Sequence, residues 1–339
     1  MTNNLINKNK LNIQHVSIKK TSIVTEDLSG QRCDQIAAKL FNEFSRGKIQ
    51  KWIKSGELCV NNFECKAKQK LFTGDQISIS AKNEVINHLA AEPSALNIIF
   101  EDEHILILNK PANCVVHPAA GISSGTLMNN ILYYLPENSL LPRAGIVHRL
   151  DKDTSGIMMV AKTNEAHSSL VNQLQKRSVS RKYIAVTRGT FISGGTIDLP
   201  IGRHPINRTK MAVINSPSQK RAKAATTHYR ISEKFANHTE LIISLETGRT
   251  HQIRVHMSHI KKPLVGDKTY NSRYRSIAGI SEELDNKLRE FPRQALHAFS
   301  LSFLHPASEN TCEFYCEAPE DYKELINILR KEDCINDKQ

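Results

Sequence analysis

The sequence is poor in several features that would place it in other classes. None of its seven cysteines, at positions 33, 59, 65, 114, 312, 316 and 334, forms a CxxC pair. That argues against a zinc ribbon, and the odd count reads as reduced thiols in a cytoplasmic protein. No apolar run reaches the roughly 18 residues of a membrane span, and no signal-peptide core follows the start. The first 25 residues hold no acid and no arginine, and their asparagines make them a poor mitochondrial presequence. A disordered tail is the expectation there. No Gly-rich phosphate loop follows the first strand-like segment of the larger region, which argues against a doubly wound nucleotide fold. No internal repeat is visible. Acid is scarce as well: 34 Asp and Glu stand against 46 Lys and Arg, a formal charge of +12 and a pI near 9.3. A polyanion, nucleic acid above all, is the expected partner, against the plainer reading of a basic protein that binds nothing acidic.

What is present is the composition of an ordinary soluble protein, 40% hydrophobic and 24% charged. At 339 residues the chain is long enough for two domains with cores that need no metal or disulfide. SRGKIQKWIKSGELCVNN opens at Ser45; Ile49 and Ile53 sit four apart beside Lys48, Lys51 and Lys54, which predicts a short helix with an apolar stripe and a basic flank. Ser55-Gly56 ends it, 58–60 reads as a strand, Asn61-Asn62 as a tight turn, and Gly74-Asp75 as a second turn before alternating residues 76–80. Residues 26–80 therefore form a small helix-and-hairpin unit, and 81–95 reads as a linker. Beyond it, strands are expected at 98–101, 105–108, 156–161, 183–188, 226–231, 241–245 and 296–303, with helices at 164–177 and 321–330. The expected fold is α+β, a larger domain over 96–330 built on a mixed, largely antiparallel sheet, then a short tail at 331–339.

HRLDKDTSGIMMVAK, from His148 to Lys162, begins like a calcium loop. Counted from Asp151, its first six positions comply, but the twelfth, where a bidentate Glu belongs, is Lys162. The apolar run after Gly156 is a buried strand and not an exiting helix. The next reading is a plain turn in which Asp151 pairs with Arg149. The company of ETGRTHQIRVHMSHIKKPLVGD, RQALHA and RKYIAV elsewhere in the chain weakens it. His251, His256 and His259 invite a zinc site, but steps of five and three do not bring three imidazoles together on a helix.

The chain resembles the RluA/RluD family of ribosomal RNA pseudouridine synthases, and most closely its RluD-like branch, which modifies large-subunit ribosomal RNA. The matching words are LNKP at Leu108, VVHP at Val115, PRAGIVHRLDKDTSG from Pro142, RKY at Arg181, MAV at Met211, THYR at Thr227, ETGRTHQIRVHM from Glu246 and RQALHA from Arg293. They follow the family's order over 96–319. Residues 31–80, with QRCD and SRGKIQKWI, resemble the small RNA-binding domain first named in small-subunit ribosomal protein four. Cys33 replaces an apolar Leu usual there, and Asn62 a turn Gly; both fit, since buried Cys acts as a small hydrophobe and Asn tolerates left-handed turns.

The resemblance implies isomerisation of uridine in large-subunit ribosomal RNA or an assembling large subunit, with no cofactor and no metal. Such chemistry needs a carboxylate near the sugar, a group to manage the base's proton and walls that exclude water. Asp151 of HRLD is the implied carboxylate, as nucleophile or as base. Arg254 is its implied counter-charge, or else an arginine on the RNA backbone; without a partner a buried Asp would protonate. Tyr183 is implied to stack on the flipped uracil, against the plain alternative of a core aromatic. Extruding a base from folded RNA costs a few kcal/mol. Arg149 is placed to fill the vacated stack or, alternatively, to hold Asp151. His148 and Arg249 fall in the same matched words and are implied to bind the RNA substrate, and Leu296 matches an apolar pocket position, though a strand Leu is usually core. Arg46, Lys48, Lys51 and Lys54 would meet phosphates, setting affinity and register. A monomer that touches no membrane is expected. The competing readings are a non-catalytic basic RNA-binding assembly factor and an N-glycosidic hydrolase. The second normally needs two carboxylates, and Asp153 is a poor second.

Overall fold

A computed structural model of the chain describes residues 14–41, 44, 46–85, 91–92, 95–118, 122, 124–207, 209–214, 222–271 and 274–336. The chain divides into two compact units, Met1–Ala90 and Ala91–Gln339. Residues 1–13 of the expected tail, Ser45, linker residues 86–90 and 93–94, and 337–339 lie outside the described residues.

The first unit is a four-stranded antiparallel sheet with two helices. It comprises β1 (Gln14–Ile23), α1 (Cys33–Leu40), α2 (Arg46–Ser55), β2 (Leu58–Val60), β3 (Phe63–Glu64) and β4 (Gln76–Val85), in sheet order β1-β4-β2-β3. Ile49 and Ile53 of α2 are buried with Trp52, as their spacing requires, against Ile36, Leu58, Ile77 and Ile79. Asn61 and Asn62 carry φ of 52° and 68°, the left-handed pair of a two-residue hairpin between β2 and β3. Two expectations need correction. Residues 14–23 are not tail: β1 pairs with β4 over ten positions, Gln14 with Val85 through Ile23 with Gln76. Its local composition hid this, because the stabilising partner lies some fifty or more residues away along the chain. For the same reason β4 runs past 80 into the expected linker.

The second unit is built on a nine-stranded sheet. Its elements are β5 (Ile98–Glu101), β6 (Ile105–Lys110), α3 (Leu127–Tyr134), β7 (Ser155–Ala161), α4 (Asn164–Gln175), β8 (Ser180–Arg188), β9 (Gly195–Asp198), β10 (Ile201–Arg203), β11 (Met211–Val213), β12 (Thr226–Lys234), β13 (His238–Leu245), α5 (Gln252–His259), α6 (Glu282–Glu290), β14 (Leu296–Leu304), β15 (Thr311–Tyr315) and α7 (Glu320–Asn336). The order is β5-β6-β7-β14-β8-β13-β12-β9, with β15 also on β14; β10 and β11 form a separate hairpin. Every pairing in the large sheet is antiparallel except β7 with β14. This is the mixed, largely antiparallel α+β architecture that the strand spacing predicts. α7 continues to Asn336, so the tail expected from 331 is largely helix; its last turns are held where Glu332, buried, accepts from the Ser281 N–H and Asp333 from the Ala236 N–H.

The one parallel contact positions the site. All seven residues of β7 are buried, which is why the strand reads as a continuous apolar run. His297 and Ala298 of β14 pair with Ser155 and Gly156 of β7, and from Ser300 onward β15 takes that edge. At the crossing Gly156 has φ +123°, and a Cβ there would stand 2.2 Å from the Ala298 carbonyl oxygen. Two strand starts, carrying Asp151 just ahead of one and Leu296 at the head of the other, thus come side by side.

Candidate active site

Asp151 sits in the turn before β7, where the Thr154 N–H donates to its carbonyl. The approach to that turn is strained: Arg143, Ala144 and Gly145 all have positive φ, and a Cβ on Gly145 would meet the Ala161 carbonyl oxygen at 2.0 Å. From behind, Lys110 at the end of β6, wholly buried, donates to the carbonyls of Pro111, Cys114 and Lys152 at 2.7, 3.0 and 3.0 Å. Burial brings its ammonium down to about 8, against the pull of Cys114, Asp153 and Asp151. Arg293 Nη1 donates to the carbonyls of Asp153 and Leu296, while its Nε and Nη2 grip Asp321 of α7 at 2.6 and 2.9 Å. Gln294 Nε2 donates to Thr154 Oγ1 at 3.0 Å. The turn is therefore pinned on two sides before any substrate enters.

The carboxylate faces Arg254 of α5, whose Nη1 donates to Asp151 Oδ2 at 3.2 Å. The same guanidinium makes a forked pair with Asp267, Nε to Oδ2 at 2.7 Å and Nη2 to Oδ1 at 2.9 Å. Side-chain exposure is 14% for Asp151, 7% for Arg254 and 1% for Asp267. Burial opposes the Arg254 charge, but the hydrogen bonds and fields of Asp267 and Asp151 outweigh it and hold its pKa above the ordinary arginine value. Asp267 is fixed in turn by the N–H groups of Thr269 and Tyr270. The Tyr270 ring lies under the guanidinium at 5.1 Å, and its hydroxyl accepts from the Met211 N–H and pairs with His251 Nδ1 at 2.8 Å. Arg254 is one cation between two carboxylates, with one longer bond to the partly exposed acid and two shorter ones to the sealed acid.

α5 is aimed by its first turn. Gln252 Oε1 accepts from Thr247 Oγ1 and the Arg249 N–H, while its Nε2 donates to Thr226 O and Thr227 Oγ1. His251, the residue before α5, takes φ 57°. His256 binds Thr227 Oγ1 and the Leu199 carbonyl, far from the His251 partner. Among the described residues no group of three or more His, Cys, Asp or Glu is placed to hold a metal.

A cavity of about 570 Å³ opens over Asp151. His148, Arg149, Tyr183, Arg249, Arg254 and Leu296 all line it. Tyr183 on β8 is buried, paired in register with Ala298, and its hydroxyl makes no hydrogen bond among the described residues. Burial raises its pKa; Arg181 opposes and Asp151 adds to the rise. His148 accepts the Met159 N–H at Nε2, which puts its proton on Nδ1, and burial together with Arg181 lowers it to about 3. Arg149 is exposed, and Asp151 is held by Arg254 and not by Arg149. Arg249 directs its Nε to the Ala224 carbonyl. Of the basic residues on α2, Lys51 and Lys54 are exposed, Arg46 pairs with Asp34 at 2.8 Å, and Lys48 lies over the Phe44 and Trp52 rings.

Among the described residues, six arginines line the cavity, Arg143, Arg149, Arg177, Arg181, Arg249 and Arg254, against two carboxylates, Asp151 and Glu246. Four of the functional neighbours, Asp267, Tyr270, Arg181 and Lys110, went unremarked as site residues in the sequence. Asp267 follows Gly266 in PLVGD, which reads as a turn, and only the fork to Arg254 gives it a role.

Residues 104–259 match the family model described as RNA pseudouridylate synthase. The chain is 50% identical over 315 residues to the Ribosomal large subunit pseudouridine synthase D of Pseudomonas aeruginosa, covering 93% of this chain and 97% of that one. It is 48% identical to the protein of the same name from Escherichia coli, over 92% of this chain and 95% of that one. The solved structure of Human RNA Pseudouridylate Synthase Domain Containing 4 superposes with a TM-score of 0.54 at 25% identity, over 69% of this chain and 93% of that one.

Proposed function

The chain belongs to the RNA pseudouridylate synthase family, and from that premise we propose that it isomerises specific uridines of large-subunit ribosomal RNA to pseudouridine. The observation that carries the reading is Asp151, held by Arg254 at 3.2 Å on the floor of an arginine-lined cavity. A polyanion is drawn to such a mouth, and a carboxylate paired with Arg254 on its floor suits attack on, or proton removal from, a ribose. The target nucleotide is flipped into the cavity, Arg149 fills the gap it leaves, and Tyr183 stacks on the uracil with its free hydroxyl near the base. The bond from C1′ to N1 breaks, the base turns, and C5 bonds to C1′; C5 loses its proton and N1 gains one. Leu296 and the walls of β7 and β14 keep water from C1′ meanwhile. His148, neutral through burial, shapes the floor. Arg46, Lys48, Lys51 and Lys54 of the first unit contact phosphates and add affinity without choosing sequence.

The protein works as a cytoplasmic monomer on ribosomal RNA or an assembling large subunit. Among the described residues no helix is long and apolar enough to cross a membrane. Tritium release from large-subunit RNA labelled at uridine C5 tests the activity. The wild-type protein is expected to release tritium with the base retained, and Asp151→Asn to lower the rate by at least about 10³-fold while RNA binding persists. Free uracil would instead establish a hydrolase, and an unaffected rate in the amide variant would remove Asp151 from the chemistry.

A further inference from the structure

Among the described residues, one buried cation of the cavity has no carboxylate to answer it. Arg181 is 8% exposed and lines the cavity from β8, two residues before Tyr183, so both side chains leave the same face of the strand. Its Nε is buried without a hydrogen-bond partner. Nη2 reaches only the carbonyls of Leu245 and Glu246, at 3.5 and 3.3 Å. Nη1 rests over Gly248, where a Cβ would stand 2.8 Å from it. Among the described residues no carboxylate pairs with Arg181, whereas Arg254 in the same cavity holds two. A buried guanidinium with unmade bonds is unfavourable until an acceptor arrives. Arg143, Arg149 and Arg177 are exposed and suit phosphates, which remain near solvent; the depth of Arg181 suits the base.

We propose that Arg181 is a catalytic contact to the uracil, the Nη1 end of its guanidinium, beside Gly248 in the cavity wall, binding a carbonyl oxygen of the flipped base and holding the charge that collects there when the glycosidic bond breaks. This rests on the isomerase reading above. The electron pair of the C1′–N1 bond leaves with the base and spreads over the ring nitrogens and both carbonyl oxygens. It is used again when C5 bonds to C1′, so the charge exists only between the two events, and nothing is oxidised or consumed. A preplaced cation that meets charge only in that interval lowers the barrier without tightening ground-state binding.

The test uses a large-subunit RNA fragment with a uridine that the wild-type protein converts, and the same fragment with sulfur, a weak acceptor, replacing O2 or O4 of that uridine. In single-turnover assays one of the two thio-RNAs is expected to react about tenfold more slowly with wild-type protein. Arg181→Gln should slow the oxygen RNA about 10²-fold, leave its affinity within about threefold, and shrink the sulfur effect to under about threefold. Arg181→Lys should fall between. If both thio-RNAs react at the oxygen rate with wild-type protein, the assignment is overturned whether or not the variants fold. Loss of affinity equal to the loss of rate would mark a phosphate contact and overturn it too. Failure of wild-type protein to convert the unmodified RNA would sink the isomerase reading itself.

Discussion

At the scale of single residues, Arg254 works because it is shared. Its fork to Asp267 fixes the guanidinium plane, and only the remaining Nη1 is offered to Asp151. Removing the sealed partner should therefore act on both stability and rate. Asp267→Asn leaves a buried cation half-answered and is expected to destabilise the protein by about 3 kcal/mol in urea unfolding. With Arg254 less firmly held, kcat should fall while KM for RNA stays near wild type, since no substrate contact is lost. The words HRLD and HQIR brought Asp151 and Arg254 forward through resemblance. Asp267 was illegible, because an acid after glycine carries no local sign of the arginine, 13 residues away, that it grips.

At the scale of elements, the parallel contact between β7 and β14 sets the active-site floor. Gly156→Ala would put a methyl group against the Ala298 backbone at a position with φ +123°, and neither strand can yield without breaking the pairing. A loss of more than about 3 kcal/mol is expected, read as a lower denaturant midpoint. α7 reaches the same floor through Asp321 and Arg293. Asp321→Asn should cost about 1–3 kcal/mol and slow turnover more than it weakens RNA binding, because Arg293 also holds the Asp153 and Leu296 carbonyls. The strands 98–101 and 156–161 were readable from apolar runs. β1 was not, since its identity depends on β4, and neither was the last turn and a half of α7, which Glu332 and Asp333 tie to Ser281 and Ala236.

At the scale of the whole molecule, acid should weaken the fold through buried imidazoles. His238 and His297 are 2% and 0% exposed, and burial is the first cause that lowers each to about 4. His297 is neutral in its bonds, accepting from Ser155 at Nδ1 and donating to the Cys316 carbonyl at Nε2. In the unfolded chain both titrate near 6.5. Between those values the unfolded state binds more protons, so this stability is complete above about pH 6.5 and is lost as pH falls toward 4. Each residue contributes up to about 1.4 kcal/mol per pH unit in that window. Melting temperature should drop steadily from pH 7 to pH 5; a flat profile would mean that these imidazoles accept protons in the folded protein.

The sequence by itself determined the two-unit plan, the basic character, most strands of the larger sheet and, through its motif words, the aspartate on which the proposed chemistry turns. Periodicity and composition are local, and they suffice wherever an element's identity depends on its own residues. Tertiary structure alone decided that Asp267 locks Arg254, that Lys110 and Arg293 brace the turn of Asp151, and that Arg181, among the described residues, meets no carboxylate in the same cavity. Each of those depends on groups far apart in the chain meeting where water is excluded, and burial, not sequence, sets the strength of a charge there.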